Sequence, residues 1–260
     1  MDVKMLTNQC VDWIKNWFEN ESGGAKGVII GISGGKDSTV VAGLCVKALG
    51  KDKVLGVLMP NGEQSDINDS IEICEHLGIE YRVVNIAPIF KSFLRQIHLS
   101  TNYYENDIID DFMQLSFHTQ TNIPPRIRMT TLYAIGQELG YRVVGTGNAS
   151  ETYVGYFTKW GDGACDFNPI GNLTTEQVVA IGDELGLPYD LVHKTPADGL
   201  CGKTDEDNLG YSYANVNAVM KYGSCGDEEI DGKIGKAYIY SQHKRNPIPK
   251  FASPILLQNN

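Results

Sequence analysis

Six consecutive residues, Ser33-Gly34-Gly35-Lys36-Asp37-Ser38, put small, hydroxyl, cationic and anionic side chains where an apolar run ends and a helical pattern begins. Two glycines let a backbone turn sharply and approach a ligand without Cβ clashes. A turn that enters a helix also aims unpaired N–H groups and a positive dipole end at one point, which suits a phosphate. Ser33, Ser38 and Thr39 add hydroxyl donors, and Ser38 or Thr39 is of the type that caps a helix. The string is not the nucleoside-triphosphatase loop, which needs four residues between its glycines and Ser or Thr directly after the lysine; here Asp37 follows Lys36. The GxGxxG fingerprint is missing too. A carboxylate inside a phosphate turn repels its ligand unless a cation lies between them. Asp37 therefore reads as a ligand of Mg²⁺, an ion typically held by one or two carboxylates plus phosphate oxygens. The plain alternative is a Gly-Gly turn followed by an ordinary helix-start charge. The whole string, set between strand and helix, favours the phosphate reading.

A second stretch, GTGNASETYVGYFTKWGDGACDFNPIGNLT (145–174), holds the other candidates. Glu151 offers a second carboxylate to a cation opposite Asp37, and Thr146 a hydroxyl to the adenosine part of a nucleotide. Lys159 offers a cation to a phosphate or to a carboxylate being activated. Asp166 follows Gly161-Asp162-Gly163-Ala164 and can orient a substrate or take a proton from ammonium. Each has a plain alternative: Lys159 solvated, Asp166 a turn residue, Glu151 a helix-start charge. Together, in one loop beyond a strand end, they favour a site. In NIPPRIRMTTLYAIG (122–136), Arg126 and Arg128 are two positions apart on a helix and face different sides, so one is free for a phosphate and the other makes a structural ion pair. His243-Lys244-Arg245 is a basic cluster in an acidic chain.

These strings carry a resemblance. SGGxDS is similar to the pyrophosphate loop of the N-type ATP pyrophosphatases, which cleave ATP to AMP and pyrophosphate while adenylating a carboxylate or carbonyl for attack by nitrogen. Among them, 145–174 resembles the NAD synthetases closely and the GMP-forming and tRNA-modifying relatives poorly. LMPNGEQSDINDS (58–70), the 122–136 segment and TDEDNLGYSYANV (204–216) extend that likeness over about residues 25–250. The resemblance implies ATP contacts at Gly31, Ile32, Ser33, Gly34, Gly35, Lys36, Asp37, Ser38 and Thr146, with Mg²⁺ at Asp37 and Glu151. It implies deamido-NAD contacts at Arg126, Lys159, Asp166, His243 and Lys244, the last two often across a subunit boundary of a homodimer. Two positions depart from the family. Thr175 stands where a lysine usually meets the ATP phosphates, and Pro196-Ala197 stand where a Ser or Thr opens the lid loop, with Thr195 just before. Thr175 and Thr195 are carried as ATP contacts, with Lys36 or Lys203 offsetting the lost cation.

The implied reaction is amidation of deamido-NAD by free ammonia, through an acyl-adenylate. Glutamine-using forms carry an extra amidohydrolase domain, and a phosphate loop that begins at Gly31 leaves no room for one before it. A single domain over 1–260, with a lid at 195–210, is expected. A rival from another class is a non-catalytic nucleotide- or flavin-binding module, but such a module has no need of paired Asp37 and Glu151.

The elements that must position these residues are legible as alternating patterns. GVIIGIS (27–33), KVLGVLMP (53–60), YRVVNI (81–86) and YRVVGTG (141–147) are continuously apolar, as strands covered on both faces are. Asp37–Leu49, Gln64–Leu77 and Pro125–Leu139 carry helical spacing, and Val11, Ile14, Trp17 and Phe18 mark an opening amphipathic helix. Strand–helix–strand alternation predicts an α/β, Rossmann-like parallel β-sheet with helices on both faces, adenine nucleotide alpha-hydrolase-like by resemblance, with ligands at the carboxyl ends of the strands. Residues 92–118 are weakly helical in pattern, and 195–226 read as a polar loop followed by a short helix. With 22 basic and 32 acidic side chains among 260 residues the charge is −10, which disfavours a nucleic-acid partner. No apolar run approaches a membrane span, no secretion signal opens the chain, and a cytoplasmic location is expected. Six cysteines form no CxxC pair, and Cys45 and Cys74 fall at apolar helix positions, so neither a zinc site nor a disulfide framework is expected.

Overall fold

Alternate residues of the first two strands, buried on both sides, face opposite layers. In the computed structural model, which describes residues 2–101, 115–194 and 204–251, the chain runs as follows. Helix α1 (Val3–Asn20) leads to β1 (Gly27–Gly31), α2 (Lys36–Leu49), β2 (Val54–Leu58), α3 (Ile67–Leu77), β3 (Glu80–Val83) and α4 (Ala87–Thr101). Then come α5 (Phe117–Leu139), β4 (Tyr141–Val143), α6 (Ala149–Val154), α7 (Thr175–Glu184) and α8 (Tyr189–Val192). The last four are α9 (Asp205–Leu209), α10 (Tyr213–Tyr222), α11 (Glu228–Tyr240) and α12 (Gln242–Arg245). The four strands form one sheet in the order β3-β2-β1-β4, every pair parallel.

Val28 and Ile30 of β1, with Val54 and Leu58 of β2, face a cluster built from α1, α2, α3, α7 and α8. The intervening Ile29, Leu55 and Val57 face Met129 and Leu132 of α5. Both faces are therefore covered, as the continuous apolar runs require. A third cluster, from α6, α10 and α11 around Val154, Val216 and Ile234, stands apart from the sheet.

Several expectations are corrected. Each strand is shorter than its apolar run, because the residues at the carboxyl end leave the ladder to build the site loops. Strand β3, at one edge of the sheet with a single paired neighbour, is mostly exposed. Helix α5 begins eight residues before the proline boundary read from sequence: Ser116 caps it through the Thr119 N–H (3.3 Å), and Pro124 and Pro125 lie inside. Helix α2 begins at Lys36, one residue early, and neither Ser38 nor Thr39 caps it; both lie inside its first turn, behind Gly35. Of the 195–226 segment, residues 204 onward form two helices, α9 and α10, and 195–203 lie outside the described residues. Cys45 and Cys74 are buried free thiols, their pKa pushed up to about 12 chiefly by burial.

Candidate active site

The carboxyl end of β1 opens into the Ser33–Ser38 turn. Ile32 N–H still donates to Val57 O (3.0 Å), and the chain then reverses at Gly34 with φ +76°. Only glycine fits there, because a Cβ would stand 2.8 Å from Asp69 Cβ. The turn is wound on itself by hydroxyls: Gly35 N–H donates to Ser33 Oγ (3.2 Å) and Ser38 Oγ to Gly35 O (3.1 Å). Since Gly35 brings no side-chain acceptor to the helix start, the N-terminal donors of α2 and their dipole face whatever occupies the turn.

Charge is concentrated just behind. Lys36, only 7% exposed, donates to Asp37 Oδ2 at 2.9 Å. Burial alone would lower its pKa, but Asp37, Glu151 and Asp205 outweigh that and hold it above the ordinary lysine value. Glu151 sits in the first turn of α6, and its carboxyl is pushed well above the usual range, first by loss of solvent and then by Asp37. With all four groups ionised the local charge is 1 − 3 = −2, which a hard divalent cation would balance. Among the described residues no three His, Cys, Asp or Glu side chains converge enough to hold a metal by themselves. The donor set fits an ion that takes its remaining ligands from phosphate oxygens and water, as Mg²⁺ does.

The sequence-derived substrate residues fall into two places. Arg126 Nε donates to Lys159 O (3.3 Å) and Lys159 Nζ to His243 O, while Lys244 Nζ donates to the carbonyls of Gly155 and Phe157 (both 2.7 Å). The middle of α5, the 157–162 turn and α12 thus meet in one chain. Burial lowers the pKa of Lys244. Arg128 does make a structural contact, but to a carbonyl, Met59 O at 3.0 Å, rather than in an ion pair. Asp166 lies elsewhere, locked at the end of β4 by Val143 N–H (2.7 Å) and Tyr133 OH (3.3 Å). Tyr133 is seven residues beyond Arg126, about 10 Å along α5 at the helical rise. Its pKa is pushed up to about 12 by burial and by Asp166.

Thr146 is half-buried in the loop after β4. Thr175 is 8% exposed, and its Oγ1 accepts from Asn217 Nδ2 (3.1 Å), while Asn217 Oδ1 accepts from Ser150 Oγ (2.5 Å). The Thr175 hydroxyl oxygen thereby joins a network linking α6, α7 and α10. Thr195 and Lys203 lie outside the described residues, as does much of the expected lid. Sequence reading passed over Asn148, which contacts both Asp37 and Glu151, and Lys194, which pairs with Asp66 (2.7 Å) and Asp69 (2.6 Å) beside Gly34. Asn148 had a readable signal, the N-x-x-E of a capping box; Lys194 had none. A surface concavity of about 470 Å³ near Phe18, Ala25 and Lys53 lies at the amino ends of β1 and β2, the wrong end for this site.

A doubly covered parallel sheet with a glycine turn and paired carboxylates at its carboxyl edge defines a nucleotide-binding α/β protein of the adenine nucleotide alpha-hydrolase type. The NAD synthase family model matches residues 6–250, and the chain belongs to that family. It is 45% identical to an NH(3)-dependent NAD(+) synthetase of Pyrococcus horikoshii over 83% of this chain and 77% of that one. Among solved structures, the NMN synthetase of Francisella tularensis superposes with a TM-score of 0.84 at 33% identity, covering 96% of this chain and 98% of that one. The NH3-dependent NAD synthetase of Campylobacter jejuni gives 0.77 at 27% identity, covering 97% and 100%.

Proposed function

We propose that this chain amidates deamido-NAD with ammonia at the expense of ATP, giving NAD, AMP and pyrophosphate, the last step of NAD biosynthesis. The observation that carries the ATP chemistry is the Ser33–Ser38 turn, with Lys36, Asp37 and Glu151 gathered at the carboxyl end of β1. The nicotinate carboxylate attacks the α-phosphorus, pyrophosphate leaves, and ammonia displaces AMP from the acyl-adenylate. Backbone N–H groups of the turn and Lys36 bind the leaving pyrophosphate, stabilising charge where it develops. Asp37 and Glu151 would hold Mg²⁺, which supplies further neutralisation of the phosphate oxygens. Arg126 and Lys159 orient the dinucleotide, with His243 and Lys244 completing that side, and Thr146, Thr175 and Thr195 are carried as nucleotide contacts. Asp166, which accepts from Val143 N–H and Tyr133 OH, is taken as the group that orients the substrate or takes the ammonium proton. Neutral ammonia needs no nucleophilic side chain to deliver it.

The chain is read as one synthetase domain using free ammonia, in a cytoplasmic homodimer. No helix among the described residues is long and apolar enough to cross a membrane. Exposed Tyr222, Ile239 and Tyr240, on the C-terminal helices, offer surface that a second copy can cover. Sedimentation velocity at micromolar protein checks the dimer.

A second reading is favoured by one comparison: the higher structural similarity to an NMN synthetase makes nicotinic acid mononucleotide the alternative substrate. Purified chain is mixed with Mg-ATP, ammonium and either deamido-NAD or the mononucleotide, and AMP and amide product are followed. AMP release only with the mononucleotide overturns the substrate, and release with neither overturns the reaction class.

A further inference from the structure

We propose that Asn148 is a positioning residue, whose side-chain amide holds the Asp37 carboxylate against the start of the helix that carries Glu151, in the arrangement a divalent cation needs. The inference rests on the metal assignment above. Asn148 precedes α6 with its side chain fully enclosed, 0% exposed. Its Oδ1 accepts from Glu151 N–H at 3.0 Å, which settles the orientation of the amide, because only the carbonyl end can accept. Nδ2 must then face the other way, and there it donates to Asp37 Oδ1 at 3.0 Å. The backbone N–H of the same residue donates to Glu151 Oε2 at 3.1 Å. One residue therefore makes one hydrogen bond to each carboxylate and a third that starts the helix carrying Glu151. Lys36 holds the other Asp37 oxygen at 2.9 Å, so Asp37 is restrained from two sides.

Helix capping alone does not demand this residue. Ser, Thr and Asp cap as well as or nearly as well as Asn, because a cap needs only an acceptor. Among these, asparagine alone carries the acceptor and a neutral donor on separate atoms of one planar group, so it accepts from the helix and donates to a carboxylate on the opposite side. A serine hydroxyl is one heavy atom shorter and does not span to Asp37. An aspartate would set a like charge against it. Outer partners of this kind orient metal-binding carboxylates, and their loss typically weakens metal binding about 10- to 100-fold.

The test is calorimetric titration of Mn²⁺-pyrophosphate into the full chain, beside thermal melts. Asn148→Ala loses cap and donor; Asn148→Ser keeps the cap and loses only the donor. Both variants are expected to bind Mn²⁺-pyrophosphate about 10- to 100-fold more weakly, while the serine variant melts closer to wild type than the alanine variant. In turnover, half-saturation by Mn²⁺ shifts in parallel and the KM for ammonium stays within about twofold. A serine variant that binds Mn²⁺-pyrophosphate like wild type reduces Asn148 to a helix cap and overturns the proposal. A serine variant that no longer melts cooperatively overturns it equally. Asp37→Asn is the separating control: wild-type affinity in that variant sinks the metal assignment itself, whatever the Asn148 variants do.

Discussion

Replacing Gly34 by alanine strains the phosphate turn in two separable ways. Gly34 has φ +76°, and placing an L-residue in the left-handed region costs about 1–2 kcal/mol. The new methyl would also stand 2.8 Å from Asp69 Cβ and 3.1 Å from Ser70 N. Neither is the free end of a side chain, and Asp69 is further restrained by Lys194 at 2.6 Å, so the turn itself must give way. Overpacking of this kind costs about 1–3 kcal/mol, and the sum, about 2–5 kcal/mol, is relieved only by moving the turn. A displacement of about 1 Å in a group that positions substrate can cost about 10²-fold, or roughly 2.7 kcal/mol of transition-state binding. Gly186→Ala is the matched control: its φ is +68° and a Cβ there meets nothing within 4 Å. Both variants should melt lower than wild type, and Gly34→Ala should also lose about 10²-fold in kcat/KM for ATP, measured by AMP release under saturating ammonium. If Gly34→Ala retains kcat/KM as well as Gly186→Ala does, the turn does not bind the reacting phosphates and the reasoning fails.

Asp37→Asn should reduce turnover by at least about 10²-fold while the melting temperature stays within a few degrees of wild type; comparable AMP release would remove Asp37 from the site. Thr175→Val removes the acceptor of buried Asn217 Nδ2, and an unsatisfied donor costs about 1–3 kcal/mol. An unchanged melt would show that the α6–α7–α10 network is not structural. Lys194→Met tests the ion pair beside Gly34. The Lys194 contact, chiefly its hydrogen bond, holds the Asp66 carboxyl below its usual value. That stabilisation is present above about pH 4 and is lost as pH falls through the lowered folded value. The pair is largely solvated, so the difference should be about 1 kcal/mol or less at neutral pH, and the gap between wild type and Lys194→Met should close on acidification. A gap that stays constant down to pH 3 would mean the lysine acts through packing rather than charge.

What could be read without coordinates was whatever is contiguous in the chain. The Ser33–Ser38 turn, the doubly buried strands β1 and β2 and the amphipathic α1 are all local patterns, and each stands where it was expected. Boundaries were less legible. The ends of all four strands and the start of α5 depend on where hydrogen-bond partners run out, and Ser116 rather than the proline pair decided the latter. The exposed edge strand β3 could not be told from a covered one, since its side chains carry no record of having one neighbour instead of two. The assembly of the site is a matter of distance in space alone. Asn148 meets Asp37 across 111 positions and Lys194 meets Asp66 across 128. Residue types determined which groups can accept, donate or carry charge. Only the parallel crossovers, which bring the carboxyl ends of β1 and β4 side by side, decided that Asp37, Asn148 and Glu151 share one place, because hydrogen bonds and charge act over a few ångströms and take no account of separation along the chain.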